Sequence, residues 1–494
     1  MPATLSKSTF LRGNQCLKSL YLNWYHPELK DPVSPMQQAI FNQGHDVGKV
    51  AQQLFPGGFD AGIYVPDQYQ KSIELTRQKI SNGIPVIYEA GFATGQLHCF
   101  IDILVKDGNS WKAFEVKSST QVKPVNILDA AYQYYVMTQS GLPLKDFSLV
   151  VLNNRYTRKG ELDIKQLFQI ESVYPAVLKL QNKVKTDVEC FLTVLDGHEI
   201  PDTDIGPHCY DPYTCDFHGH CWTHVPDYSV FDIARLSADK KWELYRRGIM
   251  KLEDIPDDFK LNESQRQQVG LELTGENYVD IKEIRKFIHN LHFPLYFLDF
   301  ESFQPAIPLY NSSRPYQQIV FQYSLHRMET KDSLPIHQEF LSPADGADPR
   351  IPFIKNLIAD IGSTGDIIVF NSAFEAGRLM EIAQNFPEFK FHISGIVSRI
   401  KDLMPLFQHR HFYKPEMKGS YSIKQVLPAV VPGFSYKSLA IGDGGTASHA
   451  YMSLFSETDE NKIQLTSENL LEYCKMDTLA MVEILKVLLN LAHD

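Results

Sequence analysis

Two acidic residues follow an apolar stretch in the second half of the chain. Residues 295–298 predict a buried strand, and Asp299 and Glu301 occupy alternate positions at its end. Because a strand alternates its side chains between two faces, we expect both carboxylates to point the same way. Burying two like charges is costly unless a cation compensates them, and oxygen ligands suit Mg²⁺ or Mn²⁺. The pair alone is more typical of solvated acids on an edge strand; the residues downstream favour the metal site.

Two later segments add residues of the same chemistry. Asp366–Asn371 predicts another buried strand, and Ser372 can cap the following helix, which places Glu375 in its first turn. An amphipathic helix near the C-terminus carries Tyr473 and Asp477, which are four residues apart and share a face. Strands at 318–326 and 336–341 and a helix at 350–361 complete the predicted elements of this half.

This order of motifs resembles the DnaQ-like, ribonuclease H-fold exonucleases of the DEDDy branch. The resemblance implies that the metal ligands are Asp299, Glu301, Glu375 and Asp477 and that Tyr473 orients the attacking water. Four carboxylates suit cleavage with two metal ions. The chain departs from the family at Glu375, where an aspartate is usual. Asp402 and residues 418–424 look like accessory segments of that fold.

A second set of polar residues lies in the N-terminal half. Strands are predicted at 86–90, 97–105 and 111–117, with a turn at 106–110, and a helix at 126–138 carries Gln133. Pairing across the turn brings Asp102 beside Glu115, and Glu115 and Lys117 share one face of their strand. Two carboxylates can hold Mg²⁺, and an ammonium group can orient water beside a phosphate.

This arrangement resembles the PD-(D/E)XK superfamily, specifically the RecB-like nucleases. The resemblance implies metal ligands at His45, on a predicted helix from 41 to 54, and at Asp102 and Glu115. It implies catalytic roles for Lys117 and Gln133. The family often has a tyrosine four residues after the glutamine, and here that position is Met137. A core histidine is the ordinary explanation of His45 taken alone.

Four of the seven cysteines form a further pattern. Cys209, Cys215 and Cys221 are equally spaced in a short loop, and Cys16, on a helix predicted over residues 5–30, is the candidate fourth ligand. Four thiolates fit Zn²⁺ or an iron–sulfur cluster. In the RecB-like branch with one cysteine before the nuclease core and three after it, the set looks like a [4Fe-4S] ligand set. Zinc is the main alternative, with His218 or His220 as substitute ligands, while Cys99 and Cys190 fit as core thiols.

Length and composition bound the architecture. A chain of 494 residues exceeds one ordinary core, so we expect an α/β protein of two domains. The predicted organisation is a PD-(D/E)XK restriction-endonuclease-like domain at 1–226, a helical connector at 227–290, and a ribonuclease H-like domain at 291–494. The net charge of −11 argues against coating of nucleic acid by bulk charge. No signal peptide or membrane-spanning run is evident, so we expect a cytoplasmic protein without a membrane partner.

Nearly the whole chain resembles a bacterial family that fuses these two heads, with the C-terminal block catalogued as a domain of unknown function. The leading hypothesis is a nuclease with two metal-dependent heads acting on DNA, in repair or in defence against foreign DNA. The alternatives are a nucleic-acid-binding scaffold with an inactive head and an RNA-processing 3′–5′ exonuclease. The sequence does not separate DNA from RNA.

Overall fold

The computed structural model describes residues 3–63 and 68–493 and shows a mixed α/β protein with three sheets. The chain divides into two compact units. The N-terminal unit comprises Met1–His224 and Pro305–Gln317, and the C-terminal unit comprises Val225–Gln304 and Gln318–Asp494. Within the described ranges, no helix is both long and apolar enough to cross a membrane.

The N-terminal unit contains nine α-helices and six strands among its described residues. The helices are α1 (Lys7–Gln15), α2 (Leu17–Tyr25), α3 (Pro35–Ala51), α4 (Tyr69–Ser81), α5 (Pro124–Gln139), α6 (Ile164–Leu167), α7 (Tyr174–Lys179), α8 (Gln181–Asp196) and α9 (His218–Cys221). The strands are β1 (Phe59–Asp60), β2 (Val86–Thr94), β3 (Leu97–Asp107), β4 (Ser110–Lys117), β5 (Leu144–Leu152) and β6 (Phe168–Ser172).

These six strands form one sheet in the order β1-β2-β3-β4-β5-β6. Strands β2 to β4 are antiparallel, β5 runs parallel to β4, and β6 returns antiparallel to β5. Apolar residues of α1, α5 and α8 join one core cluster with the sheet, and residues of α3 join another. The sheet therefore has helices on both faces, which suits its nearly continuous apolar strands.

The C-terminal unit contains ten α-helices and seven strands among its described residues. The helices are α10 (Ala238–Arg246), α11 (Glu263–Thr274), α12 (Ile281–His289), α13 (Arg350–Asp360), α14 (Ser372–Asn385), α15 (Lys390–Val397), α16 (Met404–Gln408), α17 (Ile423–Val430), α18 (Gly444–Ser453) and α19 (Glu460–His493). The strands are β7 (Tyr278–Val279), β8 (Leu295–Phe303), β9 (Ile319–Met328), β10 (Ile336–Leu341), β11 (Asp366–Val369), β12 (Ile400–Asp402) and β13 (Phe412–Tyr413).

Five of these strands form a sheet in the order β10-β9-β8-β11-β12, and β13 pairs with β7 separately. Strands β8, β9 and β10 are antiparallel, whereas β11 lies parallel to β8 and to β12. On β8, Tyr296, Leu298 and Phe300 enter a core cluster with α13, α14 and α15. Alternation therefore turns Asp299 and Glu301 to the opposite face, against which α18 and α19 pack.

Four expectations from the sequence differ from the structure. The helix predicted over residues 5–30 is two helices, because Cys16 is extended (φ −162°, ψ 122°) and ends α1 while capping α2. The strand predicted to end at Asn371 ends at Val369. Ser372 is the first residue of α14 rather than its cap, and Asn371 occupies the cap position with φ 107°. The segment predicted as a connector contains α10, α11, β7 and α12, within the C-terminal unit.

Candidate functional site

Three carboxylates of the C-terminal unit converge in a buried site. Ligand oxygens of Asp299, Glu301 and Asp477 all lie within 4.8 Å of one another. Within residues 3–63 and 68–493, no other set of three or more His, Cys, Asp or Glu side chains meets that condition. The pairing of β8 with β9 shifts register directly after Glu301, and such bulges often redirect side chains beside active sites. Asp299 and Glu301 lie together on one face of β8, as their alternate spacing predicted.

Helix α19 supplies the third carboxylate and two neighbouring groups. Tyr473 and Asp477 are both buried, and their four-residue spacing places them on the same face of the helix. Hydrogen bonding from Tyr473 and Tyr436 acts on Asp477, and the Tyr436 hydroxyl donates to Oδ1 over 2.7 Å. The Cys474 thiol donates to the backbone oxygen and to Oδ2 of Asp299, each over 3.7 Å. Tyr436 was not anticipated, because nothing in the residues around it marks a contact with α19.

Glu375 lies in the first turn of α14, as expected, and is buried. Its Oε2 atom has no hydrogen-bond partner. Glu375 is not one of the three acids within 4.8 Å of one another. The pKa of Asp299 is raised mainly by burial, then by the charges of Asp477 and Glu301, and to a smaller extent by the charge of Glu375. A buried, unpartnered carboxylate oxygen beside three others is what a divalent cation would satisfy.

The N-terminus of α14 is held by Asp402 at the end of β12. One carboxylate oxygen of Asp402 accepts the backbone N–H of Ser372 over 2.8 Å, and the other accepts that of Asn371 over 3.1 Å. The second oxygen also accepts the Met404 N–H over 2.9 Å. Asp402, on the strand next to β11, therefore caps the N-terminus of α14, the role that was expected of Ser372, and it fixes the turn that carries Glu375.

Burial and mutual repulsion keep these acids from ionising easily. Burial, then the charges of its neighbours, raises the pKa of Asp299, and the same causes raise that of Glu301. Burial raises the pKa of Asp477 to about 6, despite hydrogen bonding from Tyr436 and the charge of Lys424. Burial and the same carboxylates raise the pKa of Tyr473, which stays a neutral phenol. The site thus favours any bound cation that removes the repulsion.

The N-terminal unit brings together a mixed set of acids and lysines. Glu115 is 1% exposed, and its Oε1 contacts the ammonium groups of Lys7 (2.5 Å) and Lys117 (2.9 Å). Lys117 also contacts Asp129 over 2.5 Å. Burial opposes ionisation of Glu115, but the two lysines outweigh it and lower its pKa to about 2. Glu115 Oε2 has no hydrogen-bond partner, so one oxygen remains available for a cation.

Asp102 lies beside Glu115, as the hairpin predicted. The β3–β4 ladder ends at the pair Ile103 and Phe114, and beyond it Asp102 Oδ2 accepts the Val116 N–H over 2.6 Å. Burial, then Glu115, raises the pKa of Asp102. On β2 the residue opposite Asp102 is Glu89, which has a φ of 50° and is skipped in the residue pairing between β2 and β3. Burial and the charge of Glu115 raise the pKa of Glu89 to about 7.

The remaining residues of the predicted N-terminal set take different positions. Gln133 is fully buried on α5, where its Nε2 donates to Asp129 over 3.0 Å and its Oε1 has no partner. Asp129 precedes Gln133 by one helical turn, a spacing that could have identified it. No sequence pattern marks Lys7 as part of this site, because only the packing of α1 brings its ammonium group to Glu115. His45 is exposed on α3, so it is not buried together with the carboxylates.

The four predicted cysteine ligands line one cavity, together with His208 and His218. Backbone N–H groups donate to Cys16 from Ser19 and to Cys209 from Gly206, both over 3.5 Å. Burial raises the pKa of Cys16 and of Cys221, and the charges of the other thiols raise it further. Of the two histidines considered as substitute ligands, His218 lines this cavity and bonds Tyr210 over 2.8 Å.

Comparison with known proteins finds relatives for part of the chain. Residues 296–422 match a family model described as a domain of unknown function, DUF2779, which contains Asp299, Glu301 and Glu375. The chain is 28% identical over 205 residues to "Uncharacterized protein MG366" of Mycoplasma genitalium, covering 38% of this chain and 31% of that protein. It is 28% identical over 208 residues to "Uncharacterized protein UU173" of Ureaplasma parvum, covering 38% and 30%. The chain thus spans about a third of the length of these curated relatives. Its similarity to the domain of unknown function is limited to residues 296–422.

Proposed function

We propose that this protein is a metal-dependent nuclease that hydrolyses phosphodiester bonds of DNA with two catalytic heads. The observation that carries the proposal is the convergence of the partly buried Asp299 with the buried Glu301 and Asp477, whose ligand oxygens lie within 4.8 Å of one another. Tyr473 adjoins them, since it hydrogen-bonds Asp477. Three acids this close together, two of them buried and one partly buried, are costly unless cations bind there. Two divalent ions held by such carboxylates would supply the means to activate water and to stabilise the leaving oxygen.

The residues of the C-terminal head divide the work as a DnaQ-like exonuclease of the DEDDy branch requires. Asp299 on β8 and Asp477 on α19 are placed to ligate cations, and Glu301 and Glu375 are the further candidate ligands. The Tyr473 phenol is uncharged, so it can orient a water molecule by hydrogen bonding but does not itself act as a strong base. The strand order β10-β9-β8-β11-β12, three antiparallel strands followed by two parallel ones, supports a ribonuclease H-like assignment.

The N-terminal head has the elements of a RecB-like PD-(D/E)XK nuclease. Asp102 and Glu115 adjoin at the end of the β3–β4 ladder, and Lys117 lies two residues after Glu115 on the same strand, with its ammonium group 2.9 Å from Glu115 Oε1. Asp129 holds the Lys117 ammonium in place and Gln133 holds Asp129. The unpartnered Oε2 of Glu115 and Oε1 of Gln133 are two oxygens that a hydrated cation would satisfy.

The four-cysteine centre fits an iron–sulfur cluster better than zinc. Around a tetrahedral zinc ion with Zn–S bonds of about 2.3 Å, sulfur atoms are about 3.8 Å apart. Here no three of the four sulfur atoms, all within the described ranges, lie within 4.8 Å of one another. Thiols spaced more widely than a zinc tetrahedron suit a centre with several metal atoms, and we assign a [4Fe-4S] cluster to Cys16, Cys209, Cys215 and Cys221.

Single-head variants test the nuclease proposal. The wild type, Lys117→Ala, Asp299→Ala and the double variant are incubated with end-labelled single- and double-stranded DNA and RNA, in Mg²⁺, Mn²⁺ or EDTA. We expect each single variant to retain the products of one head, and the double variant to be inactive although folded. An equally active double variant would show that neither site is catalytic.

The products identify the C-terminal head. In the Lys117→Ala protein, cleavage should begin at a 3′ end and release mononucleotides, so a blocked 3′ terminus should protect the strand. Stronger cleavage of RNA than of DNA would favour the RNA-processing alternative. Binding of nucleic acid by every variant with no cleavage by the wild type would identify a scaffold instead.

A further inference from the structure

One lysine beside the C-terminal carboxylates has no role in the scheme above. Lys424 is half-buried in the first turn of α17. Its ammonium group lies 5.2 Å from the centre of the Tyr473 ring and 5.8 Å from that of Tyr436. It also donates a hydrogen bond of 2.6 Å to the backbone oxygen of Gly442, in the loop that leads to α18. Three contacts therefore hold this cation between the two tyrosines that face Asp477.

This position is not explained by helix stability. The N-terminus of a helix carries partial positive charge, so a lysine in the first turn opposes the macrodipole of α17. Nor is Lys424 the partner of one acid, because its charge acts on several. It counteracts the rise that burial causes in the pKa of Glu301 and of Asp477, and it helps to lower the pKa of Asp443. The charge of the ammonium group therefore acts on two carboxylates of the site, Glu301 and Asp477.

Counting charges shows what the site lacks. Four carboxylates and two divalent ions sum to zero, and a phosphodiester adds one negative charge. During hydrolysis the water oxygen bonds to phosphorus while the bond from phosphorus to the 3′ oxygen of the adjoining nucleotide breaks. One proton passes from the attacking water to solvent, so a second negative charge develops on the phosphoryl group until the departing 3′ oxygen takes a proton from solvent. A fixed cation at this point stabilises the transition state more than the bound substrate.

We propose that Lys424 is a further catalytic residue, which contacts a non-bridging oxygen of the scissile phosphate and stabilises the charge it gains. This inference rests on the proposed exonuclease function of the C-terminal head. Lys424 stays protonated throughout and transfers no proton. Its contacts with Tyr473 and Gly442 hold the ammonium group in place before the substrate arrives.

The test compares Lys424→Met and Lys424→Arg in the Lys117→Ala background. The matched control is Lys437→Met, which removes the same charge from an exposed position in the same unit. We expect Lys424→Met to lower kcat about 100-fold with little change in KM, arginine to restore part of it, and the control to retain full activity. Mn²⁺ binding, followed by electron paramagnetic resonance, should be unchanged or tighter in Lys424→Met, since a competing positive charge is gone. A merely structural role would weaken Mn²⁺ binding together with turnover, and that result overturns the proposal.

A product-binding measurement separates this proposal from the proposed function. Deoxythymidine 5′-monophosphate carries the dianionic phosphate that resembles the charge gained during cleavage. In the presence of Mn²⁺, its affinity should fall about tenfold or more in Lys424→Met and stay constant in Lys437→Met. If the Lys117→Ala protein cleaves nothing but this loss is seen, the phosphate contact stands and the exonuclease assignment fails. Equal affinity in all three proteins refutes the contact.

Discussion

Replacing Asp299 by asparagine should stabilise the metal-free protein while removing its response to metal. The side chain keeps its shape but loses the charge that repels Glu301 and Asp477 at separations within 4.8 Å. Two unit charges 4.8 Å apart repel by about 3.5 kcal/mol at an effective dielectric constant of about 20. Since the raised pKa of Asp299 means that protonation already relieves part of this repulsion, we expect a gain of about 1–3 kcal/mol at pH 8.

The assay is thermal unfolding in EDTA and in Mn²⁺. A gain of 1 kcal/mol corresponds to about 2–4 °C for a unit of this size, so the variant should unfold several degrees later in EDTA. Metal at a hundredfold excess over its Kd should stabilise the wild type by about 2.7 kcal/mol and the variant hardly at all. Asp332→Asn is the matched control, because Asp332 is exposed in the turn between β9 and β10.

Two results would refute this reasoning. A metal-free Asp299→Asn protein less stable than the wild type would show that repulsion within the cluster is not the dominant cost. Equal stabilisation of variant and wild type by Mn²⁺ would show that Asp299 is not a ligand. An effect of Asp332→Asn as large as that of Asp299→Asn would assign the change to net charge alone.

Three further predictions follow from the same structure. Burial and the charge of Asp402 raise the pKa of Glu375 to about 8. In EDTA the free energy of unfolding should therefore fall as the pH rises from about 4.5 to 8, and denaturant titrations of Glu375→Gln should show a smaller fall. Burial and the charge of His337 lower the pKa of His326 to about 3, so the free energy of unfolding should also fall as the pH drops from about 6.5 to 3. The His326→Gln variant should lose part of this dependence on acid. An unchanged dependence of its stability on pH would contradict the role given to His326. Cys209→Ser purified without oxygen should lose iron and sulfide and unfold its N-terminal unit earlier, whereas stoichiometric zinc in a colourless wild type would reject the cluster.

The sequence alone determined the local directions of the main acids. Strand alternation places Asp299 and Glu301 on one face, and helical periodicity places Tyr473 and Asp477 on another, whatever the rest of the chain does. The hairpin between β3 and β4 has its turn where Gly108 adopts a positive φ of 64°, and this register sets Asp102 beside Glu115. The grouping of Cys16 with three later cysteines was predictable because spacing and chemistry agree.

Only the tertiary structure decided which of these residues meet and what surrounds them. Lys7, Tyr436 and Lys424 reach their sites through the packing of separate elements, and no local pattern records such long-range closure. Asp402 caps α14 from another strand, which overrides the local signal of Ser372. Glu89, which lies opposite Asp102, itself has a positive φ inside strand β2, and strand periodicity does not predict that conformation. Periodicity sets the direction of a side chain within its element, whereas the electrostatic balance of a buried site depends on every element that closes around it.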